Sequence, residues 1–146
     1  MVLSISQNSS VLKISEERVA APCEYYPKCG GCQLQHASYG LQLKAKEQRV
    51  QSALKKMVDS QIKVLPIIRS PKMWEYRHKI SMPLKKTTEG FITGLYQRNS
   101  HDLVQIDHCM LHNPTGERIL KSVREWLQKL LNYDLRHIMI RTSSSG

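Results

Sequence analysis

Three of the four cysteines in this 146-residue chain, Cys23, Cys29 and Cys32, stand within ten residues of one another, and 76 residues separate Cys32 from the fourth, Cys109. A segment built this way has little freedom to be an ordinary strand or helix. Pro27 fixes one backbone angle, and Gly30 and Gly31 open conformations closed to other residues, so residues 23–37 read as a loop wrapped around something. Three occupants compete. Four cysteines permit three disulfide pairings, but disulfides are rare in a cytoplasmic chain, and thiols bunched in one loop suit a metal better. Four thiolates also suit a tetrahedral zinc ion, although zinc sites usually pair two short cysteine knuckles and only one is present here. An iron–sulfur cubane needs four thiolates around a wider object, three of which can come from one loop and the fourth from a distant segment. The residue types leave zinc and the cluster level. The spacing leans to the cluster, because Gly30 and Gly31 let amide groups approach its sulfides.

The rest of the chain patterns as alternating helix and strand. Ser38 is placed to cap an amphipathic helix at about 38–57, with Tyr39, Leu43, Val50, Leu54 and Met57 on one stripe and a stop at Asp59 and Ser60. Ile62–Arg69 is β-like, with Pro66 confining it to an edge or a bulge. From Trp74 to Leu84 the residues alternate. Trp74, Tyr76, His78, Ile80, Met82 and Leu84 are expected to face a core, and Glu75, Arg77, Lys79, Ser81 and Lys85 to face away. After a turn at Thr87–Gly90, two strands follow at Phe91–Gln97 and Leu103–Ile106, around a polar turn at Arg98–Asp102. Asn113-Pro114 begins a second amphipathic helix expected to reach about Leu131, with Ile119, Leu120, Val123, Leu127, Leu130 and Leu131 as its stripe. Trp74 and Trp126 are expected to pack, and Leu135–Arg141 is a last strand. The fold class is therefore α+β: an antiparallel β meander with two amphipathic helices and a cysteine loop, which the resemblance described below makes an iron–sulfur loop. Residues 1–22 read as a tail or linker with a short strand at Val11–Ile14, residues 23–142 as the domain, and 143–146 as a truncated end.

The chain has 22 Lys and Arg against 12 Asp and Glu, a net charge of +10. A solvated basic surface is the plain reading. The sharper one is a polyanion partner, because such side chains neutralise phosphates and release counterions. Arg77 and Lys79, projecting together from one strand face, either solvate the sheet or meet phosphates, and Arg98 and His101 in the turn are as readily explained by loop polarity; the family likeness described next makes all four the candidate RNA contacts. His108 beside Cys109, and His36 beside the loop, could ligate a metal but more simply pack or hydrogen-bond there. No apolar run approaches the roughly 20 residues that span a bilayer. The start shows no basic segment leading into an apolar stretch, so a cytoplasmic chain with no membrane partner is expected.

Taken in order, these motifs resemble a known family. Cys23-x5-Cys29-Gly30-Gly31-Cys32-Gln33-Leu34-Gln35-His36, then Tyr39 and Gln42-Leu43, is similar to the cluster motif of bacterial iron–sulfur-containing 23S rRNA (uracil-5-)-methyltransferases. The likeness continues through Lys46-x2-Arg49-Val50, Ser70-Pro71, Tyr76-Arg77-x-Lys79, Gly94-x-Tyr96-x2-Arg98-x-Ser100-His101 and Ile106-Asp107-His108-Cys109. It ends with Leu135-Arg136-His137 and Ile140-Arg141, having covered residues 16–142.

The resemblance implies a [4Fe-4S] cluster on Cys23, Cys29, Cys32 and Cys109, in a central domain that helps to seat ribosomal RNA. It also implies the family's chemistry: a cysteine thiolate adds to C6 of uracil, C5 takes a methyl group from S-adenosylmethionine, and a base removes the C5 proton. That chemistry belongs to a Rossmann-like catalytic domain further along. Here there is no Gly-rich strand–turn–helix for a nucleotide cofactor, and no cysteine is left over as a nucleophile. No catalytic residue is therefore assigned, S-adenosylmethionine belongs to the complete enzyme only, and this stretch is expected to be inactive alone. Of the RNA-binding barrel that precedes the central domain in many members, residues 1–22 could be a remnant. Two other classes stand beside this one. A stand-alone zinc or iron–sulfur RNA-binding module would have no methyltransferase domain downstream. An electron-transfer protein would show a reversible couple, and nothing else in the sequence supports it.

Overall fold

The structure, a computed structural model, describes residues 18–57, 63–130 and 132–143. The strand expected at Val11–Ile14, the helix stop at Asp59 and Ser60, Ile62, the Met57 side chain, Leu131 and residues 144–146 lie outside the described residues. The chain divides into two compact units, Met1–Pro22 with Leu34–Ser70, and Cys23–Gln33 with Pro71–Gly146.

The first unit is built on α1 (Tyr39–Met57). The Ser38 hydroxyl accepts the Leu41 N–H at 3.2 Å, giving a partner to one of the amides a helix start leaves unpaired. The Gln42 side chain donates to the carbonyls of Leu34 and Ala37 at 3.1 and 3.0 Å. Ala37 and Leu43 are buried, while Val50 on the expected stripe is exposed. The Tyr39 hydroxyl accepts the Ser70 amide at 2.9 Å, and the Arg69 guanidinium lies 5.4 Å from the Tyr39 ring centre. The strand expected at Ile62–Arg69 does not form over its described residues. Pro66 has no N–H to give a ladder, and Leu65 and Ile68 face solvent, so no buried face holds the segment to a sheet.

The second unit is a four-stranded sheet with one helix. Its strands are β1 (Lys79–Thr87), β2 (Gly90–Tyr96), β3 (Leu103–Gln105) and β4 (His137–Arg141), with α2 (Pro114–Leu127) between the last two. The order is β3-β2-β1-β4, and every neighbouring pair is antiparallel. β1 to β3 form the expected meander, and β4 returns to the free edge of β1. In β1, Ile80 and Met82 are buried between exposed Lys79 and Ser81. In β4, Ile138 and Ile140 are buried between exposed His137, Met139 and Arg141. This period-2 pattern puts one sheet face against Leu120 and Leu127 of α2, the one helix among the described residues of this unit, and turns the other face away from it. The fold is α+β, as the sequence predicts.

Three expectations fail in detail. The strand begins at Lys79, not Trp74, because Glu75 has a left-handed φ of 56° that breaks the alternation. Tyr76 and His78 are consequently exposed and Arg77 half-buried, the reverse of the expected phase. The second helix stops at Leu127. Its last turn tightens into i→i+3 bonds, Lys129 to Trp126 and Leu130 to Leu127, as the chain turns back toward β4. Trp126 and Ile119 do not pack but are exposed. The buried stripe runs Gly116, Leu120, Leu127, and each of the two sits one residue, about 100° of helix, away from it.

Asn113 starts α2 as expected. Its Oδ1 accepts the Gly116 N–H at 2.6 Å, with Pro114 in the first turn. Its Nδ2 also contacts His78 Nδ1 at 3.1 Å. Asn113→Ala is expected to cost about 1–2 kcal/mol. In urea the midpoint should fall with the slope unchanged, and an unmoved midpoint would show the cap to be idle.

Candidate metal centre

All four cysteines lie in the second unit, half-buried and outside any disulfide. The loop carrying three of them is folded by its own backbone. Tyr26 N–H donates to Cys23 O at 3.1 Å and Cys29 N–H to Tyr25 O at 2.8 Å. It docks on the end of β2, where Cys29 bridges Gln97 and Gly30 N–H donates to Tyr96 O at 2.9 Å. A Cβ on Gly30 would stand 2.7 Å from that same carbonyl oxygen, so only glycine permits the approach. Gly31 turns its N–H onto Cys29 Sγ at 3.3 Å.

Cys109 arrives from the other direction, on the connection between β3 and α2. Residues 75–77 run beside it: Glu75 and Arg77 donate to the carbonyls of Met110 and Leu111, and Asn113 donates to Arg77 O. Arg124 of α2 holds the approach to Cys109. Its Nε donates to Thr93 Oγ1 at 2.7 Å, Nη1 to Asp107 O at 2.5 Å, and Nη2 to Ile106 O. Burial draws its pKa down from the ordinary arginine value.

The thiols sense one another. Burial raises the Cys29 thiol above its ordinary value against the pull of the Gly31 amide, and the like charges of Cys32, Cys109 and Cys23 add to the rise. Cys109 goes the other way. Burial opposes its ionisation, but hydrogen bonds from the His112 side chain and Leu111 amide, with the nearby charges of His112 and Arg77, outweigh it. His112, almost fully buried, contacts Glu117 Oε1 through Nδ1 at 2.6 Å. Burial lowers its pKa, yet Cys109 and Glu117 push it up to about 9. Glu117 also accepts the Cys109 N–H at 3.3 Å. Among the described residues no three His, Cys, Asp or Glu side chains are grouped for a single metal ion. A tetrahedral zinc would need its sulfurs within about 4 Å of one another, given Zn–S bonds of about 2.3 Å. By the chemistry of the donor set, four thiols suit a thiophilic group, a zinc ion and an iron–sulfur cluster alike.

The other predicted residues are placed as follows. His108 is largely in solvent, 3.4 Å from Glu117 Oε2. His36 belongs to the first unit, where burial and then Arg18 lower its pKa. Arg77 and Lys79 do not share a strand face: Arg77 lies before β1, paired with His112 in an isolated parallel bridge, and Lys79 opens β1 opposite Arg141. Arg98 and His101 are exposed in the β2–β3 turn, and the His101 ring meets Tyr96 edge-on at 5.9 Å. His112, Glu117, Arg124 and Arg141 do not stand out from sequence. The signal for the first two is the spacing Cys109-x2-His112-x4-Glu117, which runs into the first turn of a capped helix.

A thiol-rich α+β unit of this kind is defined by its donors, and comparisons place the chain further. No protein-family model matches it. It is 33% identical to a Clostridium tetani (strain Massachusetts / E88) protein named an uncharacterized RNA methyltransferase, over 97% of this chain and 34% of that protein. It is 41% identical to one so named from Bacillus cereus (strain ATCC 10987 / NRS 248), over 82% and 27%. With one from Staphylococcus aureus (strain COL) it shares 29% identity, over 97% and 35%. By sequence the chain belongs with these RNA methyltransferases, and it spans about a third of the length of the curated relatives it matches. Among the described residues no helix is long and apolar enough to cross a membrane.

Proposed function

We propose that this chain is the iron–sulfur-bearing, RNA-seating part of a cytoplasmic methyltransferase that transfers a methyl group from S-adenosylmethionine to C5 of a uracil in 23S rRNA. The observation that carries it is the likeness to RNA methyltransferases over 97% of the chain, with all four cysteines, free of disulfides, in one compact unit. Cys23, Cys29, Cys32 and Cys109 would hold a [4Fe-4S] cluster, which would supply a four-point tie between the loop and the sheet connection. Around it, this chain's residues position and shield: Gly30 docks the loop on β2, Arg124 fixes the approach to Cys109, and His112 hydrogen-bonds its sulfur. Arg77, Lys79, Arg98 and His101 are the RNA contacts of this reading, supported by the net charge of +10. Methyl transfer falls to the length of the relatives that this chain does not span.

Anaerobically purified protein is expected to be brown and to contain about four irons and four sulfides per chain. One zinc with no iron would overturn the cluster and favour a zinc-bearing RNA-binding module.

A further inference from the structure

We infer that the sheet face turned away from α2, at the end where β1 begins with Lys79, β4 ends with Arg141 and β2 ends with Tyr96, is a docking surface for a single-stranded stretch of RNA. The inference rests on the RNA-seating reading and gives it a surface. Lys79 and Arg141 are direct cross-strand partners in the β1–β4 register, and both are exposed. Side chains so paired have Cβ atoms about 4.5–5.5 Å apart, and like charges in that position oppose folding. Neither residue forms an ion pair with a described carboxylate. A phosphate set between them would turn the repulsion into two charge-assisted hydrogen bonds.

The surroundings favour the same ligand. None of the four strands contains an Asp or Glu, and Lys85 continues the exposed face of β1. Because all pairs are antiparallel, β1 and β3 begin where β2 and β4 end. Lys79, Arg141 and Tyr96 therefore occupy one end of the sheet, next to the turn carrying Arg98 and His101. Tyr96 is 43% exposed and is braced edge-on by His101. An exposed ring held beside cations is a stacking platform for an unpaired base, which a duplex cannot offer. Asp102, the acid of that turn, has its carboxylate engaged by the Ser100 hydroxyl at 2.7 Å. An acidic protein segment would satisfy the cations but would leave the ring without a role.

The test is fluorescence anisotropy of a labelled single-stranded oligoribonucleotide with the cluster-loaded protein across a salt series. Lys79→Ala with Arg141→Ala is compared with Lys121→Ala with Lys129→Ala, two exposed lysines that belong to α2 and the turn after it, outside the sheet. The sheet pair is expected to lower the slope of log affinity against log salt by about 0.7 for each phosphate that is no longer neutralised, and the control pair to lower it less. Tyr96→Leu should weaken binding several-fold, with Tyr96→Phe restoring it. Equal slopes for the two pairs, or tighter binding of a duplex of equal length, would overturn the surface while leaving RNA seating intact. No RNA binding by the unaltered protein at low salt would overturn the RNA-seating reading itself. Iron content and circular dichroism are read for every variant.

Discussion

Cys109→Ser is expected to take the protein from about four irons per chain to less than one, the largest change any single substitution should produce. Cys109 is the one thiol that comes from the sheet side; the other three share a loop. Its loss leaves three donors and an open corner, while serine keeps the size of the side chain. The loop's own anchors, Gly30 N–H on Tyr96 O and the Cys29–Gln97 bridge, do not involve Cys109. The fold should therefore persist while the metal is lost. The measurements are iron and acid-labile sulfide against circular dichroism under anaerobic conditions. His108→Ala is the matched control and should keep its iron, since that side chain is largely in solvent and meets Glu117 instead. Retention of four irons in Cys109→Ser would remove this residue from the donor set.

Arg124→Leu is expected to destabilise the second unit by about 3 kcal/mol or more, because hydrogen bonds to a charged donor contribute about 1.5–3 kcal/mol each and are not additive. The guanidinium serves Thr93 in β2 and the carbonyls of Ile106 and Asp107, so it ties three segments through one side chain. Leucine preserves apolar volume but leaves the hydroxyl and two carbonyls short of a donor. For a unit of this size each kcal/mol lowers the melting temperature by about 4–8 °C, so a fall beyond about 10 °C is expected in a thermal melt. Since Asp107 lies two residues before Cys109, iron should also be lost more readily on mild heating. A melt within about 2–3 °C of the parent protein would show that water replaces the arginine.

The strands with clean alternation were legible in the sequence. Ile80 and Met82, and Ile138 and Ile140, announce a buried face, and nothing local competes with it. The Asn113-Pro114 start of α2 was equally plain, because capping is a local matter. What failed depended on partners distant in sequence. Trp74–His78 alternates like a strand, yet its amide and carbonyl groups find residues 110–113 instead of a sheet, and Glu75 adopts a left-handed φ on the way. Trp126 looks like a core residue until packing on the sheet sets the phase of α2. The same limit applied to the site. The spacing suggests a shared cysteine site, but His112 and Arg124 make their bonds to Cys109 and to the chain before it through folding, which spacing does not reveal. The Lys79–Arg141 pair needed the β1–β4 register, which no short-range pattern encodes.

The second unit is stitched from two stretches of chain, with Leu34–Ser70 lying between them in sequence. The Asp107 amide donates to the Tyr25 hydroxyl across 82 positions. On a ribosome adding about 5–20 residues per second, roughly 4–16 s separate the synthesis of those two partners. For most of that interval Cys23, Cys29 and Cys32 have been made, while the β2 edge that receives their loop is incomplete or the fourth thiol is absent. The donor set is therefore a product of folding rather than a seed for it. A metal reaching this chain during synthesis would meet a tether of three thiols before the fourth was made.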